Sequence, residues 1–304
     1  MSFKFGIIGA GVVGTTLAIL LKNAGYKFIG VNTRSDKSFE RFCSYLPAKR
    51  LQLDELAEKA DILFITTHDN AISEVALSLS LGMRIKSGQI WTHCSGSLRS
   101  DIMSQDRRLP VGYLSLHPLQ AFANIDNALV LMPGTHFGIE GDSTETEQMG
   151  MEIVKVLGGI PHRIDPSQKT LYHAGAVVAS NYLVSLVFLA VKLFRLAGIN
   201  KEDALQSLLP LMAGSYHNIQ KVGLPQALTG PIARGDVEVV RKHLQEVPSE
   251  LVDVYQGLGR LALEIGIEKS EISGGKYKEE VLDVLVRILD DAETCKGVDT
   301  RENN

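Results

Sequence analysis

The stretch Phe5-Gly6-Ile7-Ile8-Gly9-Ala10-Gly11-Val12-Val13-Gly14-Thr15-Thr16-Leu17-Ala18 places three glycines, spaced GxGxxG, between an apolar strand and an apolar-periodic helix. The first glycine allows a sharp turn, the second allows a pyrophosphate to approach the backbone, and the third allows the helix to pack close to the strand. The alternative is that the glycines only shape a tight turn. The strand before them and the helix after them favour a dinucleotide-binding site.

The predicted cofactor contacts begin at this turn. The helix directs its free N–H groups and the positive end of its dipole at the phosphates. A threonine at the end of a later strand completes this part of the site. The predicted contacts are Gly9, Gly11, Val12, Val13, Gly14 and Thr66.

The end of the second strand indicates which dinucleotide binds. Lys27–Val31 is followed by residues among which an NAD site would carry Asp or Glu for the ribose 2′-OH. Asn32, Arg34 and Ser35 instead offer hydrogen-bond donors, and Arg34 can form paired hydrogen bonds with a 2′-phosphate. Although Arg34 could be a solvated loop cation, the missing carboxylate and the added cation together favour NADP(H).

Composition predicts a globular enzyme long enough for two domains. The 304-residue chain is 45% hydrophobic and 22% charged, with a net charge of −4 and no basic run longer than Arg107-Arg108, so we expect no nucleic-acid partner. Cys43, Cys94 and Cys295 suggest neither a disulfide framework nor a metal site. The first strand leaves no room for a signal peptide, so we expect a cytoplasmic protein.

One segment, Ala174–Val191, has no charged residue and approaches the length of a membrane-spanning helix. Its Ser180, Asn181 and Ser185 suit a helix buried by protein better than a membrane span. We therefore expect no membrane association. We expect burial in a helical core and at a dimer interface, because so apolar a helix is unstable when exposed to water.

The first half of the chain alternates strands and helices, which predicts a parallel sheet covered on both faces. Functional residues are expected where the strands end. Beyond the second strand, the predicted strands are Asp61–Thr66, Gln89–His93, Val111–Leu116, Ala128–Met132 and His136–Ile139, and the predicted helices are Leu53–Lys59 and Asp69–Leu79.

Near residue 160 the pattern becomes helical. Asp165-Pro166-Ser167-Gln168 has the features of a helix start, Gly198 ends that helix, and Asn200 caps the next one. The predicted fold class is therefore α/β, with a doubly wound Rossmann domain followed by an all-helical domain. The predicted bounds are 1–160 for the NADP-binding domain, 161–294 for the helical substrate and dimerisation domain, and 295–304 for a polar tail.

Polar residues after two strands are candidates for chemistry. Ser95 and Gly96 follow one strand and could hold a substrate, although Ser95 could instead cap the next turn. Cys94 fits a small packed residue better than a nucleophile. His117 precedes Pro118 at the end of another strand, where a catalytic or substrate-orienting role competes with a structural one.

The helix beginning near Pro166 adds further candidates. Lys169 and His173 share one helix face, whereas Asn181 lies outside that stripe unless the helix bends. A lysine in a dry site can have a lowered pKa and deliver a proton, and the alternative is a surface lysine. The predicted catalytic residues are Lys169, His117, His173, Asn181 and Ser95.

Residues 228–236 interrupt two helices and supply the remaining substrate contacts. Asp236 has the position of an N-cap, and Arg234 could bind a substrate carboxylate or form a structural ion pair. The predicted substrate-binding residues are Gly96, Thr229 and Arg234.

Six ordered motifs resemble one family: GIIGAGVVG at 6–14, HCSGS at 93–97, SLHPLQAF at 115–122, FGIEGD at 137–142, KTLYHAGAVVASNYLV at 169–184 and LTGPIARGD at 228–236. The chain resembles bacterial Rossmann-like predicted oxidoreductases with a helical C-terminal domain. This resemblance implies a helical domain like that of 6-phosphogluconate dehydrogenase, ketopantoate reductase and pyrroline-5-carboxylate reductase. It also implies a homodimer formed through that domain.

The resemblance suggests a substrate, since some relatives serve as ketopantoate reductases. Lys169 and His173 are similar to the lysine and asparagine of ketopantoate reductases, with histidine in place of asparagine. His117-Pro118 is similar to the His-Pro motif of prephenate dehydrogenases. The expected function is NADPH-dependent reduction of a small 2-keto acid, ketopantoate-like, or of an imino acid. The alternative is an NADP(H)-binding regulatory or scaffold protein without turnover.

Overall fold

The computed structural model describes residues 3–82, 85–104, 109–274 and 277–290. The chain divides into two compact units, Met1–Leu183 and Val184–Asn304. The sequence predicts a domain boundary near residue 160, where its pattern changes. This boundary stays a prediction. The predicted tail, 295–304, lies outside the described residues.

The first unit contains one seven-stranded sheet. Its strands are β1 (Lys4–Ile8), β2 (Lys27–Asn32), β3 (Ile62–Ile65), β4 (Gln89–His93), β5 (Val111–Pro118), β6 (His136–Gly141) and β7 (Ile160–Arg163). They lie in the order β2-β1-β3-β4-β5-β6-β7. All neighbours are parallel except β5 and β6, which are antiparallel. This sheet and the helical region after it confirm the predicted fold class.

Among the described residues, seven α-helices belong wholly to this unit: α1 (Val12–Asn23), α2 (Asp36–Tyr45), α3 (Leu53–Lys59), α4 (Asp69–Leu81), α5 (Ile125–Leu131), α6 (Thr144–Val156) and α7 (Lys169–Ala179). Two apolar cores form around the sheet. One contains Leu17 of α1 and Ile153 of α6, and the other contains Leu56 of α3 and Ile72 of α4. These two cores are the covered faces that the alternating pattern predicts.

The glycine-rich turn joins β1 to α1 with very little space. Gly9 has a φ of 107°, a conformation that side-chain-bearing residues rarely adopt. A Cβ on Gly14 would lie 2.2 Å from Thr66 Oγ1 and 2.4 Å from the Gly9 carbonyl oxygen, whereas a Cβ on Gly11 would meet only the Thr66 carbonyl oxygen at 3.9 Å. Gly14 therefore permits close helix packing, and Gly11 leaves open space beside the backbone.

The prediction of a strand over Ala128–Met132 is wrong, because this segment belongs largely to α5. An apolar run this short cannot distinguish a strand from a buried helix. The local capping decides the outcome, since Asn124 Oδ1 accepts a hydrogen bond from the Asn127 N–H at 2.8 Å. Ile125 and Ala128 are then buried on the same helix face.

The second unit is helical. Helix α8 (Asn181–Leu196) begins in the first unit, and the later helices are α9 (Lys201–Val222), α10 (Pro231–Arg234), α11 (Val237–Glu246), α12 (Ser249–Ile272) and α13 (Glu279–Asp290). Val240, Val252 and Leu285 are buried together in a core formed by α11, α12 and α13. The predicted cap of α9 is confirmed, because Asn200 Oδ1 accepts the Asp203 N–H at 3.0 Å.

The predicted long apolar helix is divided at Ser180 into α7 and α8. By length and composition alone, Pro166–Leu196 could cross a membrane, and only 6% of its most apolar window is buried. The expectation that the chain itself buries this segment is therefore wrong. One face of α8, around Val191, packs on Ala204 and Leu208, while other apolar side chains such as Phe188 are exposed. Burial at a dimer interface stays a prediction.

Candidate active site

A cavity of about 560 Å³ lies beside the glycine-rich turn, and we call it the turn cavity. Its lining includes every predicted cofactor contact except Gly14, which instead serves the helix packing. The hydroxyl of Thr66 donates to the Gly9 carbonyl oxygen at 2.8 Å and so supports the turn. The neighbouring Thr67 hydroxyl lines the cavity, is buried and has no hydrogen-bond partner in the structure. The open backbone and unpaired hydroxyl fit a bound dinucleotide.

The end of β2 lines the same cavity with Asn32, Arg34 and Ser35. The Asn32 amide donates to the Leu51 carbonyl oxygen at 2.7 Å. The Ser35 hydroxyl accepts the Ser38 N–H at 3.3 Å and caps α2. Arg34 is exposed, and within the described chain its guanidinium makes neither a hydrogen bond nor an ion pair. Of the three predicted contacts, Arg34 therefore has the most freedom to bind a ligand.

A second group of polar residues, the polar cluster, comprises Asp69, His93, Ser95, Ser115, His117, Glu140, Lys169, Tyr172 and His173. These residues come from the carboxyl ends of β4 and β5, from β6, and from the starts of α4 and α7. In an open α/β sheet, ligands bind outside the carboxyl ends of the parallel strands. The polar cluster therefore occupies the expected place for chemistry.

Lys169 is buried in the polar cluster, with 3% of its side chain exposed. Its Nζ donates to Ser115 Oγ and to Glu140 Oε2, the latter at 3.3 Å. The alternative of a surface lysine is thereby excluded. Burial lowers the pKa of Lys169 below its usual value, and the Glu140 carboxylate opposes that shift.

Glu140 accepts three hydrogen bonds and is almost completely buried. In addition to Lys169, it accepts the Ser100 backbone N–H and the Ser100 hydroxyl, both at 2.7 Å. A buried carboxylate requires this number of partners, because an unpaired buried charge is costly. Glu140 thus fixes the position of Lys169 and of the chain after β4.

His93 is fully buried and has a defined hydrogen-bond pattern. Its Nδ1 accepts the Ser95 N–H at 3.1 Å, so the ring proton is on Nε2, which donates to the Arg99 carbonyl oxygen at 3.1 Å. Burial, reinforced by the charge of Lys169, lowers the pKa of His93 to about 4. Burial likewise raises the pKa of the neighbouring Cys94 to about 12, so this thiol is inert at neutral pH, as the sequence predicts.

Ser95 ties the turn after β4 to the start of α4. Its hydroxyl donates to Asp69 Oδ2 at 2.6 Å and accepts the backbone N–H groups of Ser97 and Leu98 at 3.3 and 3.1 Å. These contacts match the alternative role that the sequence allows for Ser95, which is to cap the next turn. The hydroxyl proton of Ser95 is already donated to Asp69 and is not free to act on a substrate. A catalytic role for Ser95 therefore stays a prediction.

His117 and His173 meet against Gly96. A Cβ on Gly96 would lie 2.5 Å from His173 Nδ1 and 2.7 Å from His117 Nε2, so only glycine allows both rings to pack here. The ring centroids of the two histidines are 5.7 Å apart. His173 Nδ1 is buried and has no hydrogen-bond partner in the structure. Gly96, predicted as a substrate contact, therefore supports the two imidazoles.

Tyr172 orients His117. Its hydroxyl lies 3.0 Å from His117 Nδ1. We assign the tautomer in which the Tyr172 hydroxyl donates to His117 Nδ1 and the ring proton is on Nε2. Burial, together with the proximity of His173 and Lys169, lowers the pKa of His117 to about 4.

Three predicted site residues, Asn181, Thr229 and Arg234, do not belong to the polar cluster. Asn181 is exposed at the start of α8. Thr229 is exposed in the second unit, where Arg234 pairs with Asp236 at 2.8 Å. This contact is the structural ion pair that the sequence allows as one of two roles for Arg234. The other role, binding of a substrate carboxylate by Arg234, stays a prediction.

Five members of the polar cluster are absent from the predicted site: Asp69, His93, Ser115, Glu140 and Tyr172. Glu140 is the one acid within the strand β6, where an unpaired charge would be costly, and this signal could have identified it. Tyr172 is three residues from Lys169, within one helical turn of it. Asp69 gives no such signal, because an acid at a helix start is ordinary capping.

The lowered pKa of His93 predicts a pH-dependent stability. The unfolded histidine, with a pKa of 6.5, binds a proton between about pH 6.5 and pH 4, whereas the folded one does not. Stability is therefore lost as the pH falls through this range. His93→Gln should reduce the loss in unfolding free energy between about pH 7 and pH 5 by about 2 kcal/mol.

Urea denaturation at the two pH values measures this effect. His217→Gln is the control variant, because His217 is exposed on α9. An equal loss of stability in His93→Gln and in the unmodified protein would contradict a neutral, buried His93.

Two family models match the chain. A Rossmann-like domain matches residues 1–118, and a domain of unknown function, DUF2520, matches residues 135–262. No curated protein sequence matches the chain.

Several solved structures are similar to this one. Protein TM1727 from Thermotoga maritima is 27% identical with a TM-score of 0.69, over 86% of this chain and 98% of that chain. BF3122 from Bacteroides fragilis, assigned as an NADP oxidoreductase, is 23% identical with a TM-score of 0.65, over 89% and 98%. A 1-pyrroline-5-carboxylate reductase from Streptococcus pyogenes is 17% identical with a TM-score of 0.56, over 72% and 80%.

Proposed function

We propose that this protein is an NADPH-dependent reductase of a small 2-keto acid, ketopantoate-like, or of an imino acid. The observation that carries the proposal is that the turn cavity and the polar cluster both lie at the carboxyl ends of strands in one sheet. The assignment of BF3122 as an NADP oxidoreductase and the reductase from Streptococcus pyogenes support the same reaction class.

NADP(H) is favoured over NAD(H) by the lining of the turn cavity at the end of β2. Asn32 stands where an NAD enzyme holds the ribose 2′-OH with a carboxylate. The nearby Asp36 pairs with Arg50 and does not line the cavity, whereas the free guanidinium of Arg34 does. A cation without a competing acid at this position suits a 2′-phosphate.

The polar cluster would perform the proton chemistry. Bound NADPH would supply the hydride that reduces the substrate carbon. His117 is neutral at neutral pH because its pKa is about 4, so its Nε2–H would donate a hydrogen bond to the carbonyl oxygen or imine nitrogen. Lys169, held as an ammonium by Glu140, would provide the proton for the product. His173, Ser95 and Asn181 remain candidates for orienting the substrate.

A specific observation favours the alternative of an NADP(H)-binding regulatory or scaffold protein. The groups that would act are engaged structurally, because Lys169 is paired with Glu140 and the Ser95 hydroxyl is paired with Asp69. Such pairing would hold the fold together without turnover. Nucleotide binding would then occur without consumption of NADPH.

Oxidation of NADPH, followed at its absorbance band, decides between these functions when the protein is offered ketopantoate, other 2-keto acids and cyclic imino acids. His117→Asn should lower kcat by about a hundred-fold or more, because general acid and hydrogen-bond catalysis contribute about 10² to 10⁴. Lys169→Met should do the same while NADPH affinity stays unchanged.

Lys169→Met leaves Glu140 buried without its partner, so the double variant Lys169→Met with Glu140→Gln controls for misfolding. His217→Gln controls for loss of an exposed histidine. Binding of NADPH without turnover of any compound in the panel would support the scaffold function. Normal turnover in folded variants of both residues would remove them from the mechanism.

We further propose a cytoplasmic homodimer without membrane or nucleic-acid partners. Exposed apolar side chains on α8 and α9, among them Tyr182, Phe188 and Leu211, require cover in water. Sedimentation of the purified protein without detergent should give twice the chain mass of 33.2 kDa. A monodisperse monomer, or extraction only with detergent, would contradict this proposal.

A further inference from the structure

The turn cavity needs more than Arg34 to hold a phosphate with two negative charges. The amide of Asn32 is engaged with Leu51, and the hydroxyl of Ser35 caps α2. Two of the three residues that the sequence assigns to this phosphate therefore have structural uses. The Ser35 hydroxyl proton and the second Asn32 amide N–H stay available, but neither group carries a charge, so a second cation in the cavity lining would help to balance the phosphate charge.

Arg41 is a second cation in the lining of the turn cavity. It lies on α2, three residues after Ser38, which also lines the cavity, so both residues share one helix face. Its Nη2 donates to the carbonyl oxygen of Ala10, within the glycine-rich turn, at 2.8 Å. Arg41 thus reaches across the cavity from α2 to the turn.

The guanidinium of Arg41 retains donors for a ligand. Arginine has five N–H donors, and the described chain provides Arg41 with the Ala10 carbonyl oxygen as its hydrogen-bond acceptor. No ion pair neutralises Arg41 within the described residues. The acid that lines the cavity, Glu74, comes from α4 rather than from α2 or the end of β2. The α2 side of the cavity is therefore positive.

We propose that Arg41, together with Arg34, binds the ribose 2′-phosphate and so determines the preference for NADP(H) over NAD(H). This inference rests on the proposed function and adds a specificity-determining residue to it. Two guanidinium groups in the lining of one cavity can share the phosphate charge and its acceptor oxygens. The hydroxyl of Ser38 lines the same side of the cavity as a further donor.

Calorimetric titration of the full chain with NADPH, NADH and 2′,5′-ADP tests the proposal. Arg41→Ala and Arg34→Ala should each weaken the binding of NADPH and of 2′,5′-ADP about ten-fold or more, because each removes a charge-assisted contact. Binding of NADH should change less than about two-fold. Lys37→Ala is the matched control, because it removes an exposed positive charge from α2 that does not line the cavity.

The three ligands separate a phosphate contact from a structural role. If Arg41 only supports the glycine-rich turn through Ala10, Arg41→Ala will weaken NADPH and NADH equally, and the proposal is wrong. It is also wrong if Arg41→Ala binds NADPH normally or behaves like Lys37→Ala. An unmodified protein that binds none of the three ligands would overturn both this inference and the proposed function. Tight NADPH binding with no effect of Arg41→Ala would overturn the inference alone.

Discussion

The buried ion pair between Lys169 and Glu140 is the interaction on which the polar cluster depends. It connects the first turn of α7 to β6, and the Lys169 contact with Ser115 connects the same turn to β5. Removing one member of such a pair costs about 3 to 5 kcal/mol, because the other charge remains buried. Once Lys169 is fixed, the next turn of α7 must place Tyr172 and His173 beside the end of β5.

The burial that fixes this pair also sets the chemistry of the histidines. His93 and His117 stay neutral because their surroundings disfavour a charged ring, and the nearby ammonium of Lys169 disfavours it further. A neutral imidazole held in one tautomer is a directed hydrogen-bond donor rather than a proton reservoir. Lys169 is charged beside neutral histidines because Lys169 contacts the Glu140 carboxylate, whereas the two histidines are buried and, in the part of the chain that the structure describes, have no acidic partner in direct contact.

The sequence predicts those features of the fold and site that depend on neighbouring residues. The glycine-rich turn, the strand β4 and the cap at Asn200 follow from local geometry, and the structure contains them. Asp236 stands at the N-cap position of α11, but its side chain pairs with Arg234 and does not cap the helix. The prediction of a strand over Ala128–Met132 fails because an apolar run of this length fits both a strand and a helix. This segment is helical because Asn124 caps α5 and adds one hydrogen bond from the Asn127 N–H.

The site is harder to predict because its contacts join residues distant in sequence. Glu140 lies 29 residues from Lys169, and Tyr172 lies 55 residues from His117. Likewise, nothing near Asn32 in the sequence shows that its amide binds the Leu51 carbonyl group. Residue types therefore identified candidates such as Lys169 and His117, whereas their partners required the folded sheet.

The proposed function requires that the turn cavity and the polar cluster form one site, in which a dinucleotide bound in the cavity reaches the cluster. The most direct test is NMR spectroscopy of protein labelled with ¹⁵N in its histidine rings. NADPH should shift the ring signals of His117 and His173, whereas 2′,5′-ADP, which lacks the nicotinamide half, should leave them unchanged. Saturating NADPH that leaves both histidine signals unchanged would contradict the claim.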